Sequence, residues 1–85
     1  MEIHRAARKH GVAGPSIEHA IANCVVVVSL DPDDDPPRVL AIGPDFDGSL
    51  LEVIWLEFDE DVQIVIHAMA LRPVFYDLLP EQGSN

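Results

Sequence analysis

Arg38-Val-Leu-Ala-Ile-Gly43, Leu50-Leu-Glu-Val-Ile-Trp-Leu-Glu-Phe58 and Val62-Gln-Ile-Val-Ile-His-Ala-Met69 are three strand-like runs separated by short turns. Each is rich in β-branched, leucine and aromatic residues, which suit a pleated, half-buried surface. Pro44-Asp-Phe-Asp-Gly48 forms the first turn, with Gly48 supplying a positive φ angle. Asp59-Glu60-Asp61 forms the second. Behind the last run, Pro73 opens a short helix that reaches about Leu79, since proline is favoured at a first helical position.

Parity predicts the register of the second hairpin. With a loop of Asp59, Glu60 and Asp61, Phe58 faces Val62, Leu56 faces Ile64 and Ile54 faces Ile66, aligning one apolar face. A two-residue loop would set Ile54 against His67 and Phe58 against Gln63, mixing the faces. The other face then carries Leu51, Val53, Trp55, Val65, His67 and Met69. A strand apolar on both sides is central and covered on both sides. Helices cover one face. The other, carrying Leu51, Val53, Trp55, Val65 and Met69, is expected to meet a partner chain. Trp55 reads there as packing or as partner contact, not as a base-stacking platform.

Upstream, Glu2 to His10 reads as an amphipathic helix with Ile3, Ala6 and Ala7 inward and Arg5, Arg8 and Lys9 outward, stopped by Gly11. Gly14-Pro15 restarts a helix whose buried stripe is Ile17, Ala20 and Ile21, ending near Asn23. Cys24-Val-Val-Val-Val-Ser-Leu30 is a further strand. Asp31-Pro-Asp-Asp-Asp-Pro-Pro37 is a solvated connector, because its prolines lack backbone donors and its aspartates repel. It does not match a calcium loop: Pro36 and Ile42 stand where glycine and glutamate are needed. The expected fold is one α+β domain over residues 1–85. It has two N-terminal helices, a four-stranded antiparallel meander and a C-terminal helix.

Composition narrows the function. The chain has 85 residues, 48% of them hydrophobic, enough for one core but not for disorder. No apolar run reaches the roughly 18–20 residues that span a bilayer. The basic start, residues 1–11, is followed by no apolar signal core, which argues against export. The single Cys24 has no partner and reads as a packed thiol, and the cytoplasm is the expected compartment. His4, His10 and His19 lack metal-ligand spacing, and no cofactor motif is present.

Charge is uneven. The formal net charge is −10, with 5 Lys and Arg against 15 Asp and Glu. Arg5, Arg8 and Lys9 outnumber Glu2 and Glu18 before residue 24, whereas only Arg38 and Arg72 oppose the acids after it. Nucleic-acid binding through phosphates needs converging cations. Weak RNA binding is therefore expected, and the acidic remainder suits a basic partner better.

At Lys9-His-Gly-Val12, Arg38-Val-Leu-Ala-Ile-Gly43, Gly48-Ser-Leu-Leu51 and Ile66-His-Ala-Met69 the chain resembles the BrnT-type toxins. These are small RelE-like ribonucleases of bacterial toxin–antitoxin pairs. The resemblance spans about residues 3–79 and rests on the order and spacing of the motifs. It implies a curved antiparallel sheet with packed helices, RNA cleavage, and neutralisation by a cognate antitoxin. It also assigns Lys9, His10 and Arg38 to the nucleic-acid-binding set. The family's Ser-Ala-Arg-Lys strand end falls on His67-Ala68-Met69-Ala70, so two basic positions are apolar here.

Metal-free RNA cleavage needs a base for the 2′-hydroxyl, a cation for the phosphate and an acid for the leaving oxygen. His67, with a reference pKa of about 6.5, suits base or acid. Arg72 suits the phosphate charge, and Tyr76, one turn on, suits the acid. Each also has a plain reading: His67 as a hydrogen-bonded sheet residue, Arg72 as a surface cation, Tyr76 as a core-edge aromatic. Two function classes follow. One is a toxin-type, metal-independent endoribonuclease held by an antitoxin. The other is a non-catalytic toxin-fold module acting through protein–protein association, homodimerisation included.

Overall fold

The four β-rich runs pair in sequence order, but they do not make up the whole sheet. A computed structural model of the chain describes residues 1–80. The sheet has five strands in the order β1-β5-β4-β3-β2. The strands are β1 (Glu2–Ile3), β2 (Val26–Ser29), β3 (Arg38–Pro44), β4 (Leu50–Phe58) and β5 (Val62–Ala70). Neighbours from β2 to β5 run antiparallel, as short turns dictate. β1 joins the outer edge of β5 in parallel, Glu2 opposite Ile64 and Ile3 opposite Val65.

The sheet is therefore mixed, and the expected four-stranded antiparallel meander with two N-terminal helices is wrong. No α-helix forms over Glu2–His10. Ile3 is extended on β5, His4 donates its backbone N–H to the Val65 carbonyl at 2.8 Å, and only Arg5–Arg8 coil as a 3-10 turn. The His4 Nδ1 caps that turn by accepting from the Ala6 N–H at 3.1 Å. A short segment forms too few helical bonds to offset nucleation, so pairing with an open strand edge wins. The one α-helix among the described residues, α1, spans Gly14–Ala22 with proline in its first turn.

The C-terminal helix is also corrected. Pro73–Leu78 is a 3-10 segment, its Val74, Phe75 and Tyr76 being poor helix formers in a short run.

Both faces of the sheet are covered by the chain itself. On one face α1 and the Arg5–Arg8 turn bury Ala7, Ile17 and Ala20 against Ala41, Leu51, Val53, Trp55, Val65 and Ala68. On the other, Leu71, Phe75 and Leu79 pack over Leu40, Ile42 and Ile54. α1 approaches β3 so closely that a Cβ on Gly43 would overlap the Ala20 carbonyl and lie 3.0 Å from the Cys24 Cα. Gly43 is required there by contact, not by backbone angle. No helix among the described residues is long and apolar enough to cross a membrane.

Candidate functional site

One charged side chain lies on the inner face of a central strand: Glu52, near the start of β4, is fully buried. It shares the Ile54 and Ile42 side of the sheet, opposite Ile42 on β3 and Met69 on β5. A carboxylate buried in that setting needs several donors. Arg72 supplies three, from its backbone N–H to Oε1 at 2.9 Å and from Nε and Nη2 to Oε2 at 3.0 and 2.6 Å. The His67 Nε2 meets the same Oε2 at 2.9 Å.

His67 reaches Glu52 because β5 carries a bulge. Trp55 pairs with Val65 but Ile54 pairs with His67, so Ile66 is the extra residue. Without it His67 would stand opposite Val53, on the face under α1. Beyond β5 the chain turns with the Leu71 N–H donating to the Leu50 carbonyl at 3.0 Å. That turn delivers the Arg72 backbone and side chain to Glu52, while the Arg72 guanidinium also lies 5.7 Å from the centre of the Phe75 ring.

Burial pushes the Glu52 carboxyl up, but the Arg72 and His67 hydrogen bonds, the Arg72 backbone bond and the Arg72 charge outweigh it. Together they hold it below the usual glutamate value. The Glu52 hydrogen bonds and charge push Arg72 up. With Glu52 ionised it can only accept, so the His67 Nε2 must carry a proton. No buried nitrogen or oxygen among the described side chains lacks a partner. The His67 Nδ1, which has none, is therefore not fully enclosed. The His67 and Arg72 side chains are 23% and 47% exposed, so both present an outer side while Glu52 holds the inner one.

His10, just past the Arg5–Arg8 turn, brings its ring edge-on to His67 with centroids 5.6 Å apart. Lys9 lies beside it in the chain, exposed. Arg38 does not join them. It opens β3, two strands from β5, where its backbone N–H and Nε bind Asp31 at 2.6 and 2.7 Å. Those bonds, the backbone one first, hold Asp31 below the usual aspartate value. Tyr76 is exposed on the 3-10 segment and makes no hydrogen bond to the group.

The expected open face is corrected. Leu51, Val53, Trp55 and Val65 are buried under α1 and the N-terminal turn, so they offer no free surface. Met69 lies on the opposite face, opposite Glu52, because the bulge reverses the parity of β5 beyond Ile66. Glu52 itself was overlooked in the sequence. Its signal is an acid on the Ile54 and Leu56 parity of β4, the face opposite to that of Glu57, which demands a buried cation or donor.

No three metal-ligating side chains converge among the described residues. Neither protein-family models, nor curated proteins, nor solved structures gave a match to the chain.

Proposed function

We propose that this protein is the toxin of a bacterial toxin–antitoxin pair and cleaves RNA without a metal. The observation that carries the reading is the cluster at the exit of β5: His67, Arg72 and His10 gathered beside the buried Glu52. Two imidazoles and a guanidinium are the groups a phosphodiester needs. The outward His67 Nδ1 takes the 2′-hydroxyl proton, and the resulting 2′-oxygen attacks phosphorus. Arg72 keeps Nη1 free of Glu52, and this nitrogen donates to the non-bridging oxygens as charge builds. The 5′-oxygen leaves with a proton from His10, whose ring centroid lies 5.6 Å from that of His67. The products are a 2′,3′-cyclic phosphate and a 5′-hydroxyl.

The test is growth arrest on expression, with released 5′-hydroxyl ends measured in parallel. His67→Gln keeps a donor for Glu52 but cannot act as a base, so arrest is lost while the protein stays folded. Arrest that survives in folded His67→Gln and Arg72→Gln removes the reading.

A second reading has its own observation. Val74, Tyr76 and Leu78 are 73%, 53% and 39% exposed on the 3-10 segment. Against a net charge of −10, that apolar strip fits a basic partner such as an antitoxin. In that reading the protein works by association alone, and neither wild type nor variants release RNA ends.

A further inference from the structure

We propose that Glu52 is the positioning residue of this site: it takes the Nε2–H of His67, turns Nδ1 outward as the reacting nitrogen, and holds Arg72 alongside. The inference deepens the ribonuclease reading and names a residue that the resemblance does not supply.

The geometry has a direction built into it. Glu52 sits near the start of the central strand β4, fully buried, with both oxygens occupied by Arg72 and His67. Its contacts come from two different elements: His67 from β5 at the bulge, and Arg72 from the turn after β5. An imidazole bonded through one nitrogen to an ionised carboxylate has its tautomer set by that bond. The remaining nitrogen is then committed to accept a proton.

The same Oε2 receives Nε and Nη2 of Arg72 at 3.0 and 2.6 Å. The guanidinium plane is thereby fixed with Nη1 directed away from the carboxylate. A general base and an anion-binding cation are thus held in register by one buried group that never touches substrate. A buried carboxylate held for stability alone would need only one of these two partners. The second is added by a strand bulge that costs a ladder hydrogen bond.

The experiment uses the full chain with 15N-labelled histidine. In wild type, the His67 ring proton on Nε2 should appear as a slowly exchanging, downfield signal that is missing in His67→Gln. In neutral His67 the proton should reside on Nε2. In Glu52→Gln that proton should exchange at the bulk rate. Its kcat on a dinucleoside monophosphate should fall at least tenfold, with KM changed less than twofold.

A wild-type His67 protonated on Nδ1 with Nε2 bare overturns the proposal without any variant being made. So does a folded Glu52→Gln protein that retains the protected Nε2 proton and full kcat. If wild type shows the protected proton yet cleaves no RNA, the ribonuclease reading falls, while the placement of His67 by Glu52 stands on the spectrum alone.

Discussion

Glu52 and His67 share a face of the sheet because Ile66 is squeezed out of the β4–β5 ladder. From Phe58 opposite Val62 to Trp55 opposite Val65 the pairing is regular, and from Ile54 opposite His67 onward it is offset by one residue. A regular ladder would set His67 beneath α1, in the layer of Val53 and Ala41. The bulge turns it to the side where Arg72 arrives. Bulges re-aim single side chains in this way, and they cluster near functional sites. Ile66 remains packed towards Leu40, Ile42 and Ile54, so the irregularity leaves no gap in the core.

The Glu52 cluster makes stability depend on acid. Folding holds the Glu52 carboxyl below its ordinary value of 4.5. A depressed carboxylate contributes stability that is complete above the unfolded value and is lost as pH falls through the folded one. Thermal unfolding of wild type and Glu52→Gln should therefore differ most at neutral pH. We expect a gap of about 1–3 kcal/mol for the lost charged hydrogen bonds, or a Tm difference of roughly 4–20 °C in a domain of this size. The two curves should converge as pH falls below 4.5 and on through the lower folded value. Parallel curves down to pH 2 would sink the assignment.

Gly43→Ala should be strongly destabilising although it lies in a regular strand. The added Cβ would overlap the Ala20 carbonyl and lie 2.8 Å from the Ala20 carbonyl carbon. These are backbone atoms of a packed helix, which cannot turn aside. Overpacking of this kind costs about 1–3 kcal/mol or more. Urea denaturation measures it directly. Gly11→Ala provides the contrast, since a Cβ there meets no neighbour and only its left-handed backbone is strained.

The turn between β4 and β5 invites the opposite change. Glu60 and Asp61 have φ angles of 63° and 62°, a left-handed conformation that costs a residue with a Cβ roughly 1 kcal/mol or more. Asp59, Glu60 and Asp61 also repel one another. Asp61→Gly should raise Tm by several degrees, because the strain relieved exceeds the entropy glycine adds to the unfolded chain. A lower Tm would show that Asp61 has a compensating bond.

The strands from β2 onward were legible because β-branched runs bounded by proline, glycine and aspartate allow few alternatives. The three-residue turn followed from parity, as Phe58 opposite Val62 shows. β1 was not legible. Two residues have no periodicity, and Ile3 with Ala6 and Ala7 imitates a helical stripe. The bulge was equally hidden, since Ile66 and His67 can each face either way, and with it went the facing of His67 and Met69. His67 and Arg72 were singled out by chemistry. Glu52 is hard to single out because Glu57 shares its strand, and only its parity with Ile54 separates a buried acid from an accessible one.

Binding to RNA supplies the last prediction. Arg5, Arg8, Lys9 and His10 are exposed at the N-terminal turn that packs along β5, so the cluster at His67 and Arg72 gains cationic neighbours despite the net charge of −10. Arg38 adds little, being spent on Asp31. About three or four phosphates is then the most that a single strand can place against this surface. Counterion release predicts a log K against log salt slope of roughly −2 to −3 for single-stranded RNA. Lys9→Ala should reduce that slope by about 0.7, whereas Arg38→Ala should leave it unchanged. Filter binding across salt concentrations reads both. Submicromolar affinity that ignores salt would mean that RNA is held by stacking or by a neutral surface, and the cationic edge along β5 would then have no part in it.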